Sequence, residues 1–101
     1  TDLTPLKGMP LERLDLSQNY ELVDIGSLEG MPLKWLNLWD ARGVEDLRPL
    51  RGMPLEWLEI RGTKVKDLRP LKGMPLEFLG VGSGVEDVSP IKGIKGLELK
   101  R

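Results

Sequence analysis

The sequence contains no cysteine, no histidine and a single alanine among 101 residues. Without cysteine there is no disulfide, no thiolate zinc site and no thiol nucleophile, a composition compatible with a reducing compartment. Without histidine the chain lacks the Ser-His-Asp and Cys-His arrangements, the commonest metal ligand and the commonest general acid/base. An excess of charge of either sign is missing too. Fifteen basic and sixteen acidic side chains leave a net charge of -1. Nucleic-acid binding draws on a basic excess that releases counterions from phosphate, so neither a nucleic acid nor an anionic membrane is an expected partner. No run approaches the roughly 18 apolar residues of a membrane span, and no basic start leads into an apolar signal core. The longest stretch free of glycine and proline runs only from Leu11 to Ile25, which excludes a helical bundle.

What remains is 20 leucines in a chain punctuated by 12 glycines and 8 prolines. Charged residues of both signs make up 31%, so wholesale disorder is not expected. Self-comparison divides residues 1–101 into one repeat array with lines 2–23, 24–45, 46–66 and 67–86 and a partial line 87–101, at periods of 22, 22, 21 and 20 residues. Each line carries L-x-x-L-x-L or a variant: Leu11/Leu14/Leu16, Leu33/Leu36/Leu38, Leu55/Leu58/Ile60, Leu76/Leu79/Val81 and Ile94/Leu97/Leu99. Its last two apolar positions alternate with polar ones, the period of a strand buried on one face.

Turn residues and one apolar anchor (Leu22, Val44, Val65 or Val85) lead into a D-L-x-P-L-x-G block. Asp2, Asp24, Asp46, Asp67 and Asp87 are expected to cap one short helical or 3₁₀ turn by accepting orphan backbone N–H groups. A proline in the first turn loses no needed donor. Gly8, Gly30, Gly52, Gly73 and Gly93 stand where the turn stops, in a left-handed C-cap.

This pattern resembles the leucine-rich repeat family, in the short bacterial class of internalin-like and SDS22-like arrays, and the L-x-G-M-P-L variant is similar to repeats of planctomycete-type proteins. The resemblance covers residues 2 to 100. It implies an α/β fold: a short, right-handed, open horseshoe with a concave parallel β-sheet of about five strands and 3₁₀ or turn segments on the convex side. The family's asparagine at the turn after the strand appears only as Asn19; Ala41, Thr63 and Gly84 replace it. Backbone groups in those turns need other partners. No polar capping unit marks either end, so the terminal strands are expected to be edges, covered by more coils or by another copy. A start at Thr1 fits an excised or engineered segment.

In such a repeat the inner leucines point to the core, and the residues before, between and after them face out from the concave sheet. The first outward column reads Arg13, Trp35, Trp57, Phe78, Gly96; the middle one Asp15, Asn37, Glu59, Gly80, Glu98; the third Ser17, Trp39, Arg61, Gly82, Lys100. All three tryptophans and the single phenylalanine therefore fall outside the core. Two readings follow. The aromatics cover one another and the sheet as cross-strand pairs. Alternatively they form a contact patch of the kind tryptophan and arginine dominate at interfaces. On the second reading Trp35, Trp57, Trp39, Phe78, Arg13, Arg61, Asp15, Asn37 and Glu59 bind a protein or peptide, and no catalytic residue, metal or cofactor is expected. A self-associating excised or designed scaffold and a glycan-binding tryptophan ladder are the alternatives.

Other motifs fall to the bland reading. Gly80-Val81-Gly82-Ser83-Gly84 is not followed by the full helix a phosphate loop opens. Asp15 and Glu59, two strands apart, have the reach of an inverting carboxylate pair but nothing nearby to raise a pKa. The charged columns Lys7/Glu29/Arg51/Lys72/Lys92 and Glu12/Lys34/Glu56/Glu77/Lys95 read as solvated faces.

Overall fold

A computed structural model describes residues 3–101. Its strands are three residues each: β1 (Arg13–Asp15), β2 (Trp35–Asn37), β3 (Trp57–Glu59), β4 (Phe78–Gly80) and β5 (Glu98–Lys100). They pair in parallel, in chain order, as one five-stranded sheet. Such short strands suffice because the ladder continues past both ends. Lys34 and Trp35 N–H both donate to Glu12 O, and Leu16 N–H donates to Asn37 O. No described helix is long and apolar enough to cross a membrane.

The apolar core is a set of columns, each leucine resting on its equivalent in the next coil. Leu36, Leu58 and Leu79 lie side by side in register and are fully buried. Burial decays toward the ends, where a coil has a neighbour on one side only. Met31, Met53 and Met74 are 3–4% exposed, whereas their equivalent in the first coil, Met9, is 43% exposed. Leu6, Leu11 and Leu14 are likewise only partly covered.

On the outer side of each coil stands a 3₁₀ turn: Thr4–Leu6, Gly26–Leu28, Arg48–Leu50, Arg69–Leu71 and Ser89–Ile91. The carboxylates of Asp24, Asp46, Asp67 and Asp87 accept the N–H of the first residue of their turn, at 2.7–2.9 Å. They act from one residue further upstream than the N-cap expected of them. That position is held by Ile25, Leu47, Leu68 and Val88, whose side chains pack on the core. An apolar residue is needed there, so the acceptor reaches over it as an Asx-type turn. Asp2, assigned the same role, lies outside the described residues.

Gly8, Gly30, Gly52 and Gly73 end these turns at φ 80–82°, the left-handed conformation expected of them. Gly93 does not; Lys92 before it stays helical (φ -62°, ψ -29°), and Gly96 takes the left-handed turn instead at φ 73°. The last line has no Met-Pro pair to start its strand, and the strand forms two residues later than the L-x-x-L-x-L reading placed it. Glu98 pairs with Phe78, Leu99 with Leu79 and Lys100 with Gly80. Glu98 thus replaces Gly96 in the first outward column, and Lys100 moves to the middle one.

The turns that leave the strands use varied substitutes for the missing asparagines. Asn19 Nδ2 donates to Leu16 O at 2.8 Å, and Thr63 Oγ1 donates to Ile60 O at 2.7 Å. At Ala41 the backbone serves alone, its N–H donating to Leu38 O. Arg101 serves a different carbonyl, its guanidinium donating to Val85 O at the end of the fourth turn; Lys64 N–H donates to the equivalent Val44 O two coils earlier. Gln18, Asp40 and Gly62 occupy one left-handed position in three successive coils. The shortened fourth turn dispenses with it.

Two predictions follow from these turns. A Cβ on Gly62 would meet Asp40 Cα at 2.9 Å, and φ is +81°. Gly62→Ala is expected to cost about 2 kcal/mol, since left-handed backbone alone costs a side chain roughly 1–2 kcal/mol. Gly84→Ala, whose Cβ meets nothing closer than 3.9 Å, is expected to be neutral or slightly stabilising. Urea melts compare the two; equal loss would refute the left-handed constraint. The second concerns acid. Arg69, through its guanidinium and then its N–H, holds the Asp67 carboxyl down at about 2 from the usual 3.8. Arg48 lowers Asp46 likewise, and Ser89 lowers Asp87. A depressed folded pKa gives stability present above the unfolded value and lost as pH falls through the folded one. The urea midpoint is therefore expected to drop between about pH 4 and pH 2, less steeply in Asp67→Asn, which keeps the acceptor but cannot titrate.

Candidate functional site

In-register parallel pairing sets Arg13, Trp35, Trp57 and Phe78 side by side on the solvent face of β1 to β4. At a strand spacing of about 4.8 Å, flat side chains in adjacent positions meet face to face. The Trp35 and Trp57 rings stack at 4.5 Å between centroids with 9° between planes, and Trp57 and Phe78 at 5.2 Å and 15°. The Arg13 guanidinium closes the row, 3.9 Å over the Trp35 ring. The rings are half-buried by one another. Glu98 continues the row on β5.

The middle column does another job. Asp15 Oδ1 accepts Ser17 N–H, Asn37 Oδ1 accepts Trp39 N–H and Glu59 Oε2 accepts Arg61 N–H, at 2.9–3.0 Å. Each side chain thereby fixes the backbone two residues on, where its strand ends. Accepting the Ser17 N–H holds the Asp15 carboxyl below the usual range, and Arg13 adds to the effect. Asp15 and Glu59 are thus both engaged as acceptors of backbone N–H groups.

Glu59 is buried, at 4% exposure. Its carboxylate lies across β4 above Gly80, where an added Cβ would come within 2.7 Å of Glu59 Cδ. Gly80, the one position of the middle column without a side chain, is thus covered from the neighbouring strand. Arg61 wraps the same carboxylate with Nε and Nη2, and this hydrogen bonding raises the guanidinium pKa.

Trp39 stands apart from the stack, 46% exposed. With Asn37, Trp57, Glu59 and Arg61 it lines a depression of about 330 Å³ at the exit end of β2 and β3. A larger cavity of about 650 Å³, between the fourth and fifth coils, is lined by Met74, Leu76, Pro90 and Ile94 among others, and by none of the residues named for binding. All nine of those residues lie on one face. One feature escapes a reading confined to the strands: in the turns that follow β1 and β2, Arg42 lies 4.4 Å over the Tyr20 ring. Their equivalence, one period of 22 residues apart, is visible in the sequence. No cluster of potential metal ligands occurs among the described residues.

No protein-family model matches the chain, and no curated protein does either. Solved structures do. An internalin (inlF) from Listeria monocytogenes is 30% identical, with a TM-score of 0.88 over 99% of this chain and 31% of its own. An internalin C2 (inlC2) from the same organism is 25% identical, with a TM-score of 0.69 over 99% of this chain and 66% of its own. The chain thus spans about a third of the first protein's length and less than two thirds of the second's. Stacked coils, an in-register parallel sheet and these likenesses together make the chain a leucine-rich repeat solenoid of the kind seen in internalins.

Proposed function

We propose that this solenoid is an internalin-like, non-catalytic recognition module that binds a protein or peptide on its concave face. The observation that carries the reading is the exposed Trp39 beside a rigid aromatic floor. Large exposed apolar side chains next to arginines characterise interface hot spots. The stack of Arg13, Trp35, Trp57 and Phe78 supplies the floor, and Trp39 and Arg61 supply the anchors. Asp15, Asn37 and Glu59 hold the strand ends in place beneath them. The likeness to two internalins supports recognition over catalysis, and the engaged carboxylates support it too.

A glycan reading fits less well. A sugar stacks on a free ring face, and both faces of Trp35 are taken, by Arg13 and Trp57. Both faces of Trp57 are taken as well, by Trp35 and Phe78.

Selection of a random peptide library on the immobilised chain tests the proposal. The expected binders lose about 10- to 100-fold in affinity on Trp39→Ala, the range of a hot-spot residue, while the thermal melt stays unchanged. Binders that tolerate both Trp39→Ala and Trp57→Ala would place recognition elsewhere. Light scattering over a concentration series decides the competing case: a dimer lost in Trp39→Ala would make the partner a second copy of the chain.

A further inference from the structure

The depression beside Trp39 has a polarity that its residue types alone do not reveal. Its acceptors are used. Glu59 Oε1 accepts from Arg61 Nε and Nη2, and Oε2 accepts from Arg61 N–H and Nε. Asn37 Oδ1 accepts Trp39 N–H. Its donors are open. Among the described residues nothing accepts from Asn37 Nδ2, Arg61 Nη1 or the Trp39 indole N–H. The Glu59 charge is already neutralised by Arg61, so an incoming anion meets a closed ion pair with spare N–H groups. Further along the face, Arg13 makes no ion pair with a described residue.

From this imbalance we propose that the depression takes an acidic segment of a partner protein, a carboxylate next to an apolar side chain. The carboxylate accepts from Asn37 Nδ2 and Arg61 Nη1, and the apolar side chain packs on Trp39 and the edge of Trp57. Hydrogen bonds between a guanidinium and a carboxylate are charge-assisted and stronger than neutral ones, so the preference is for the ionised group over a carbonyl. Gly80 acts as a positioning residue: by leaving room for Glu59 it allows Arg61 to be held flat with one edge facing the depression. The inference rests on the recognition reading above and adds the partner's chemistry to it.

The test is a side-chain NMR titration of the full ¹⁵N-labelled chain with N-acetyl-phenylalaninate and, separately, with neutral N-acetyl-phenylalaninamide. The carboxylate probe is expected to move the Asn37 Nδ2, Trp39 Nε1 and Arg61 signals with an apparent affinity about five-fold or more above that of the amide. Asn37→Asp keeps the acceptor for Trp39 N–H and turns a donor into an anion; it is expected to erase that preference without unfolding the chain. Equal affinity for the two probes overturns the proposal, as do a preference that survives Asn37→Asp and no response to either probe. Shifts at the exposed Arg48 and Arg69 as large as those at Arg61 also overturn it. Peptide capture independent of Trp39 would fail the recognition reading alone, because the titration reads the depression itself.

Discussion

Everything in this molecule depends on one constraint: parallel strands paired in exact register place each side chain against its own equivalent one coil away. At about 4.8 Å spacing the constraint acts on both faces of the sheet. Inside, it turns a repeated leucine into a continuous apolar column, which no single coil could bury. Outside, it forces neighbours of like kind together whether or not that is favourable. Flat aromatic rings tolerate it well, and the 4.5 Å stack of Trp35 on Trp57 is the strand spacing expressed in side chains. Acceptors tolerate it poorly. The column Asp15, Asn37, Glu59 and Gly80 breaks up the repulsion by alternating charge, length and absence, and every acceptor in it is satisfied by the N–H two residues on.

The stack and the exposed tryptophan therefore differ in energetic role. Each aromatic contact in the row contributes about 0.5–1.5 kcal/mol, and the guanidinium over Trp35 about 0.5–1 kcal/mol. Against the roughly 5–15 kcal/mol of a whole domain, that is a substantial share. Trp35, Trp57 and Phe78 are consequently committed to the fold even though they face solvent. Trp39 has no such commitment. Its backbone is tied on both sides, the N–H held by Asn37 and the carbonyl accepting Gln18 N–H, while its indole has no hydrogen-bond or ring partner among the described residues.

How much of this was legible in the sequence follows from the same constraint. Periods of 22, 22, 21 and 20 residues fixed the strand register through four coils, because the pairs Arg13–Trp35, Trp35–Trp57 and Trp57–Phe78 are those periods restated in space. The fifth strand departs from the pattern because its apolar spacing satisfies L-x-x-L-x-L at an offset of 18, while the backbone keeps 20. Side-chain pattern competes with ladder continuity at the last coil, and the ladder won. The aspartates look like N-caps in sequence but act from one residue upstream, since a sequence shows the acceptor but not the apolar residue that must turn inward after it. Gly80 was the least legible. Its meaning lies in Glu59, 21 residues earlier, and only the parallel register connects them.

A solenoid whose inward positions are fixed by packing has only its outward ones with which to distinguish one partner from another. In this chain those positions are spent unevenly. The second and third coils carry all three tryptophans, and the fourth carries glycine at 80, 82 and 84. The glycines are not idle space. One of them receives a carboxylate from the coil before, and that carboxylate in turn fixes an arginine. Polarity in the exit depression thus arises from a relation between two coils: the acceptor is buried on one strand, the room for it is made on the next, and the unused donors are left facing outward. A single repeat has no such asymmetry. It appears only when unequal repeats are stacked, which is why departures from the consensus, rather than the consensus itself, give the outer face of this sheet its polarity.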